Sequence, residues 1–508
     1  MDYFALKSGT DIRGVASEGT GEAVELTDAV VRQIGIGFLC WCEQHLKKPA
    51  RELRIALGHD SRISAERISC ALKAVFADYG CRVFHCGLAS TPAMFMAVLE
   101  LPCDCAIEIT ASHHPYQRNG LKFFTENGGL ESSDLTELLG YAQERKTPKK
   151  PTGSSSEGAC GDSPLVTSSD FMRRYGAGLR ELIKKRLNAP DYEHPLAGFR
   201  IVVDAGNGVG GFYPQDVLAP LGADVSGSVF LTPDGMFPGH IPNPENPEAM
   251  AAVSKATLAA KADLGIIFDT DVDRGAAVDR YGAEINRNRL VALAAAIALE
   301  DAPGGIVVTD SVTSDGLKTF IEQDLKGVQH RFRRGYKNVI NEARRLNQAG
   351  QNAPLAIETS GHAAFRDNYF LDDGAYLVTR ILIKMVQLRR EGKEIGDLLA
   401  PLAMPLESRE LRLPVEAPDF RSYGEQVLRD LRDYAAQRDW QIAPDNHEGL
   451  RVSFPSEQGW FLLRLSVHDP IMPLNLESNR PGGIERMMEQ LSEFFRVCGY
   501  FQDSPTPD

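Results

Sequence analysis

Residues 264 to 274, LGIIFDTDVDR, place Asp269, Asp271 and Asp273 at every second position directly after an apolar run, and Arg274 follows at once. Three carboxylates held within a few ångströms repel strongly, so this loop is expected to gather around a hard divalent cation that takes oxygen ligands. A solvated acidic turn is the plain alternative, but the run LGIIF ahead of the aspartates argues for burial. Upstream, AIEITASHHP (106 to 115) has the same design, with the hydroxyl of Ser112 beside His113 and His114. Alone, Ser112 would pass for a helix N-cap. The downstream segment YQRNGLKFF changes that reading, because Asn119 and Gly120 are expected to make a tight turn that presents Lys122, a cation suited to a phosphate or sugar oxygen. A metal loop and a hydroxyl loop at strand ends point to phosphoryl chemistry.

The elements that must hold these loops recur along the chain. RIALGHDSR (54 to 62), RIVVDAGNG (200 to 208) and GIVVTDSVTSDG (305 to 316) are apolar β-branched runs ending in Gly/Asp/Ser turns. Each is followed, roughly fifty to sixty-five residues on, by a second run ending in a polar loop: AIEITASHHP, LGIIFDTDVDR and PLAIETSGH (354 to 362). Three copies of one α/β module account for this better than one continuous sheet. Uninterrupted apolar strands belong in sheets covered by helices on both faces, where ligands collect at the loops leaving the strands. KTPKKPTGSSSEGACGDSP (146 to 164) reads as a linker or surface loop. After about residue 405 the character changes to short strands such as GLRVSF and GWFLLRLS, and a closing helix. Along that helix Ile484, Met487, Met488, Leu491, Phe494, Phe495 and Cys498 form one apolar stripe, a core-packing face that stops at Gly499. A smaller α+β domain is expected here.

With 508 residues, three or four domains are expected, and 43% hydrophobic with 24% charged residues is ordinary globular composition. A net charge of -14 argues against nucleic acid or an anionic membrane as the main partner, so an anionic substrate must meet a local basic pocket. The nine cysteines lack zinc-like paired spacing and suggest a reducing compartment. The N-terminus MDYFALKSGTDIRG has no basic flank with an apolar core, and no stretch reaches the length of a membrane span. A cytoplasmic enzyme is the expectation.

Taken together, TASHHP, DTDVDR and ETSGH resemble the active-serine, metal and sugar-recognition loops of the phosphoglucomutase/phosphomannomutase family of α-D-phosphohexomutases, in that family's order and spacing. DIRG near the start, NGLK after the serine and DAGNG opening the second unit carry the resemblance across essentially the whole chain. It implies three related α/β domains and a smaller C-terminal α+β domain of the TATA-binding-protein-like type around a central cleft. The expected boundaries are 1–164 for the phosphoserine loop, 165–302 for the metal loop, 303–405 for sugar recognition and 406–508 for the C-terminal phosphate-binding domain.

The resemblance also implies roles. Ser112 would be a phosphoserine whose phosphate joins Asp269, Asp271 and Asp273 around Mg²⁺. Phosphoryl transfer to a glucose or mannose phosphate, through a 1,6-bisphosphate that also primes the enzyme, would interconvert the 1- and 6-phosphates. N-acetylglucosamine phosphate is a less favoured substrate. Arg274 and Arg13 would neutralise the phosphoryl group, and either Lys122 or His113 could assist proton transfer. Glu358, Ser360 and His362 would recognise the sugar, with Lys337 in RRGYKN (333 to 338) beside them. A capping turn and a solvated lysine are the plain readings of these residues.

One loop departs from the family pattern Arg-Pro-Ser-Gly/Asn-Thr-Glu-Pro. This chain has RLSVHDP (464 to 470), where Val467 and His468 restrict the backbone and remove a hydroxyl. Arg464 and Ser466 remain assigned to the distal phosphate, with His468 as a replacement donor. HIPNPE (240 to 245) reads as a rigid connector. Two rivals stand beside the mutase. A haloacid-dehalogenase-type phosphatase shares the Asp-x-Asp strand end but requires Thr or Val where Asp273 stands, and a non-catalytic sugar-phosphate-binding relative would have no use for Ser112. Oligomeric state is open.

Overall fold

All six apolar runs form strands, and within each repeat the opening strand pairs directly and in parallel with the later one. The computed structural model describes residues 1–19, 21–149, 163–466 and 469–501. Arg54–His59 lies against Cys105–Ile109, Ile201–Asp204 against Leu264–Phe268, and Ile306–Thr309 against Leu355–Ile357. Parallel neighbours leave their sheet at the same edge, so the two polar loops of a repeat emerge side by side.

The chain divides into two compact units. One comprises Met1–Asn286, Ser360–Ala364 and Leu371–Gly396, and contains two sheets. The first sheet runs in the order Lys7–Ser8, Asp11–Val15, Arg118–Thr125, Cys105–Ile109, Arg54–His59, Arg82–Leu88, Val166–Ser168. Helices Asp28–Leu46, Ala65–Asp78 and Ser132–Gln143 supply apolar faces to its core, where Phe38, Leu72, Phe76, Ile107, Phe123 and Leu138 are buried. Each such side chain contributes about 1.5–3 kcal/mol of burial. The second sheet runs Glu284–Ile285, Gly275–Asp279, Leu264–Phe268, Ile201–Asp204. Helix Gly374–Arg390 packs on it, and Thr379 shares a 2.8 Å hydrogen bond with buried Tyr213.

Two glycines let backbone close on the loop between Leu264–Phe268 and Gly275–Asp279. A Cβ on Gly208 would stand 2.5 Å from the Thr270 carbonyl oxygen, and one on Gly374 would stand 2.5 Å from the Arg274 carbonyl carbon. Neither neighbour is a flexible side chain, so any larger residue must displace the loop.

The other unit comprises Arg287–Thr359, Phe365–Phe370 and Asp397–Asp508. The third repeat is thus shared between units, with its three parallel strands Val328–Arg331, Ile306–Thr309 and Leu355–Ile357 in this one. The C-terminal sheet is antiparallel, in the order Glu407–Pro414, Ile471–Ser478, Gly459–Leu463, Leu450–Phe454, Gln441–Ile442. Helices Phe420–Ala436 and Gly483–Cys498 share its core. The latter buries Ile484, Met487, Met488, Leu491, Phe494 and Phe495 and stops at left-handed Gly499, as its stripe requires. Cys498, read as part of that stripe, is exposed. It lies in the last turn, where the helix runs past its packing surface. Among the described residues no helix is long and apolar enough to cross a membrane. Most of the expected linker, residues 150–162, lies outside the described residues.

Within this unit Arg451 reaches from the C-terminal sheet to the Ser311 and Thr313 carbonyls at 3.1 Å and to Asp315 Oδ1 at 2.9 Å, with Arg331 on the same carboxylate at 2.8 Å. Its guanidinium lies 3.5 Å from the Trp460 ring centroid, and Trp460 Nε1 donates to Glu477 Oε2 at 2.9 Å. Burial pushes Glu477 up to about 7, against the pull of Arg451. A carboxyl whose folded value is raised weakens the fold as pH climbs from the unfolded value, about 4.3, toward the folded one. Glu477→Gln should therefore gain on the wild type by ~2–4 kcal/mol between pH 4.5 and pH 8. Thermal midpoints measured at both pH values check this; a pH-independent difference would contradict it.

Candidate active site

Asp269, at the end of strand Leu264–Phe268, is fully buried and accepts three contacts. Ser112 Oγ donates to its Oδ2 at 2.9 Å, Arg274 Nε donates to the same oxygen at 3.1 Å, and the Arg274 backbone N–H donates to Oδ1 at 3.2 Å. Arg274 Nη2 also donates to Ser112 Oγ at 3.1 Å and to His113 Nδ1 at 2.6 Å. Of the residues expected here, the structure therefore gathers Ser112, His113, Asp269 and Arg274 at one point. Because Nδ1 accepts from a guanidinium, His113 is neutral with its proton on Nε2. Burial, then Arg274, His114 and Arg13, push its imidazole down to about 2.

Lys122 joins the same cluster from strand Arg118–Thr125, with Nζ donating to Asp271 Oδ2 at 2.8 Å and to Asp273 Oδ2 at 2.5 Å. Thr91, which opens helix Thr91–Glu100, donates its hydroxyl to Asp271 Oδ2 at 2.6 Å and its amide to the Asp271 carbonyl at 2.9 Å. Burial opposes ionisation of Asp273, but Lys122, His362 and Arg274 hold its carboxyl far below the usual range. Burial and the charge of Asp273 push Asp269 well above it. Carboxylates this close cannot all ionise without more positive charge. The donor set fits a hard dication on a second count: Asp271 Oδ1 and Asp273 Oδ1 are buried without a hydrogen-bond partner. One carboxylate oxygen from each of Asp269, Asp271 and Asp273 lies within 4.8 Å of the others, close enough to share one ion.

His362, expected at the sugar, stands beside the aspartates. Its Nδ1 is 2.6 Å from Asp372 Oδ2 and 3.9 Å from Asp273 Oδ1, and its backbone forms an isolated antiparallel bridge with Arg274. Despite burial, Asp372 and Asp273 raise it to about 9, so it is a cation flanking the loop. Arg13 pairs with Asp11 at 2.8 Å, and its Nε is buried without a partner. Ser360, in this same unit, has a buried Oγ without a partner.

Several residues that position this cluster were not found by sequence reading. Arg62 is 2% exposed and holds the serine loop by its carbonyls, donating to Ser112 and His114 (2.6 Å), Pro115 (2.8 Å) and Arg118 (2.9 Å). Asp60 fixes Arg62 at 3.1 Å and accepts from Thr110 Oγ1 at 2.7 Å, which in turn accepts the Ser112 amide at 2.9 Å. The available signal was Asp-x-Arg in RIALGHDSR, at the strand end beside TASHHP. HIPNPE, read as a connector, supplies Asn243, whose Oδ1 accepts from Arg274 Nη1 at 3.1 Å, and Glu245 lies 3.7 Å from the same nitrogen. The prolines set its path, and Asn243 between them and Glu245 after them face the guanidinium. Both loops carry left-handed non-glycine residues, Ser112 at φ 51° and β-branched Val272 at φ 65°, strain of about 1–3 kcal/mol each that these contacts maintain.

In the other unit Glu358 Oε1 accepts the Gly335 amide at 2.6 Å, while Thr359 donates its amide (3.1 Å) and hydroxyl (2.7 Å) to buried Asp310 Oδ2. Lys337 is half-buried in the first turn of helix Tyr336–Gln348. Arg464 is buried, its Nε has no partner and its Nη1 lies 3.8 Å from Glu448 Oε1. Glu448 also takes the Arg334 amide at 3.1 Å. Burial lowers Arg464, and Arg334 adds to that against Glu448. Ser466 Oγ accepts the Asp469 amide at 3.2 Å. His468 and Val467 lie outside the described residues.

Three family models match in succession: phosphoglucomutase/phosphomannomutase α/β/α domain I over residues 6–147, domain II over 180–282 and domain III over 286–404. A phosphoglucomutase of Neisseria meningitidis is 29% identical over 440 residues, 86% of this chain and 87% of that protein. A phosphomannomutase/phosphoglucomutase of Pseudomonas aeruginosa is 28% identical over 437 residues, 85% of each. The crystal structure of a phosphoglucomutase/phosphomannomutase family protein from Burkholderia thailandensis superposes with a TM-score of 0.79 at 26% identity, covering 98% of both chains.

Arg62→Lys keeps the charge but not the fork that spans several carbonyls, and each buried group left unpaired costs about 1–3 kcal/mol. The variant should lose hydrogen-exchange protection across residues 110–120, with a lower thermal midpoint. Unchanged exchange in that segment would show that Arg62 does not hold the loop.

Proposed function

The chain belongs to the phosphoglucomutase/phosphomannomutase family, and from that premise we propose that Ser112 carries the phosphoryl group which this enzyme exchanges with a hexose phosphate. The protein is a hexose phosphate mutase, an intramolecular phosphotransferase. The observation that carries the assignment is the placement of Ser112 Oγ at 2.9 Å from Asp269 and 3.1 Å from Arg274, in the cluster where Asp271 Oδ1 and Asp273 Oδ1 have no hydrogen-bond partner. A haloacid-dehalogenase-type phosphatase gives no role to a serine at that point.

Phosphoserine 112 donates its phosphoryl group to the free hydroxyl of a glucose or mannose monophosphate: the serine O–P bond breaks, the sugar O–P bond forms, and the proton leaving the sugar hydroxyl is delivered to the serine oxygen. The resulting 1,6-bisphosphate reorients and returns its other phosphoryl group to Ser112. Mg²⁺ held by Asp269, Asp271, Asp273 and the serine phosphate would draw charge from the phosphoryl oxygens. Arg274 is aimed at the transferring group, and Asn243 and Asp269 fix its plane. Arg13, with its buried Nε, serves the same charge. Lys122 and His113 remain the candidates for handling the proton. His362, paired with Asp372, supports Asp273 as well as the sugar loop.

Glu358 and Ser360 are assigned to sugar hydroxyls, Lys337 to their surroundings, and Arg464, Ser466 and His468 to the phosphate that is not reacting. Arg334 joins that set because it shares Glu448 with Arg464. Glucose or mannose 1,6-bisphosphate is the activator, and the enzyme is assigned to the cytoplasm.

Incubation with glucose 1,6-bisphosphate should add one phosphoryl group to the peptide containing Ser112, read by mass spectrometry. Ser112→Ala should take up none there and lose activity by a factor on the order of 10³ or more. No phosphate on Ser112 would favour the non-catalytic binding relative. Glucose and mannose phosphates differ only at C2, and coupled assays should show turnover of both 1-phosphates; turnover of one alone would narrow the substrate to that sugar.

A further inference from the structure

On the first sheet three side chains converge for which the phosphoryl chemistry has no use. His59 ends strand Arg54–His59, His85 lies on the neighbouring parallel strand Arg82–Leu88, and Glu66 is in the first turn of helix Ala65–Asp78. One ligand atom from each lies within 4.8 Å of the others. His59 Nδ1 lies 2.8 Å from the Asp60 carbonyl oxygen, which can only accept. The ring proton is therefore on Nδ1, and the lone pair of Nε2 faces Glu66 Oε2 at 3.8 Å. Two ligands about 2.1 Å from a tetrahedral ion stand about 3.4 Å apart, so this pair needs little adjustment. The other Glu66 oxygen is 3.4 Å from Lys73 Nζ. Both ligands thus have the outer partners that orient metal-binding imidazoles and carboxylates.

We propose that His59, His85 and Glu66 form a second cation site, specific for a borderline d-block dication such as Zn²⁺ or Co²⁺. Two imidazoles and one carboxylate suit such an ion, whereas the all-oxygen aspartate loop suits Mg²⁺. His85 is kept neutral by burial and by Lys73, the state in which imidazole binds metal. Glu66 is largely exposed and both histidines are half-buried, which leaves a path for the ion. The ammonium of Lys73 opposes the incoming charge and weakens the site. It adjoins the serine loop, since the residue after His59 is Asp60, the anchor of Arg62 and Thr110.

The test is a titration of chelator-treated full-length protein with Co²⁺, in excess Mg²⁺ to fill the aspartate loop, followed by visible ligand-field absorption. The wild type should develop a saturable band equivalent to one ion per chain, reversed by Zn²⁺. The band should vanish in His59→Ala and His85→Ala and persist in Asp271→Asn. Glu66 is exposed enough for Glu66→Gln to fold normally, and this variant should bind more weakly by at least about 10-fold. Absence of a saturable band in the wild type, survival of the band in His85→Ala, or unchanged affinity in Glu66→Gln would each overturn the proposal.

Discussion

The Asp269 carboxylate is the junction on which the serine–aspartate arrangement depends. It takes the hydroxyl of Ser112 from the first sheet and the guanidinium of Arg274 from the second, with no access to water. Burying such charges is costly, and removing one partner of a buried ion pair typically costs about 3–5 kcal/mol. The cost is offset only because every charge has an opposite within reach. Arg274, Lys122 and the cationic His362 face Asp269, Asp271, Asp273 and Asp372, leaving one negative charge in excess before the cation and the serine phosphate are counted. A site balanced in this way is prepared to gain a dication together with a dianion.

Geometry supplies what electrostatics requires. In each repeat two parallel neighbours end at one edge, so a loop that contacts substrate has beside it a loop that can hold it. Asp60 and Arg62 hold the serine loop, Asp310 holds Thr359, and the Val209 amide donates to the Thr270 carbonyl at 2.8 Å inside the metal loop. One device is thus used three times. Because those neighbours define the backbone from several directions, Ser112 and Val272 can stay in left-handed conformations that an isolated loop would leave.

Much of this was legible in the sequence because it was local. Alternating aspartates, continuous apolar strands and the stripe from Ile484 to Phe495 all repeat at short spacing, and each appears where periodicity placed it. What escaped depends on contacts between distant segments. Arg62 meets carbonyls some fifty residues downstream, Asn243 meets Arg274 across a whole helix and strand, and Thr91 meets Asp271 from a helix 180 residues earlier in the chain. His362 was read with its neighbours in ETSGH, yet the glycine before it, at φ 96°, turns the chain so that it faces Asp372 and Asp273. The division of the third repeat between two compact units was also hidden, since helix Gly374–Arg390 joins the second sheet through Tyr213, far away in sequence.

The central claim is that the hydroxyl of Ser112 and the three aspartates form one cation site, completed by phosphate on the serine. Its most direct measurement is the affinity for Mn²⁺, used as a paramagnetic substitute for Mg²⁺, of the same protein with and without phosphate on Ser112. The account predicts binding at least about 10-fold tighter in the phosphorylated form, with the gain lost in Asp271→Asn. Equal affinity in the two forms, or tight binding that survives Asp271→Asn, would contradict it.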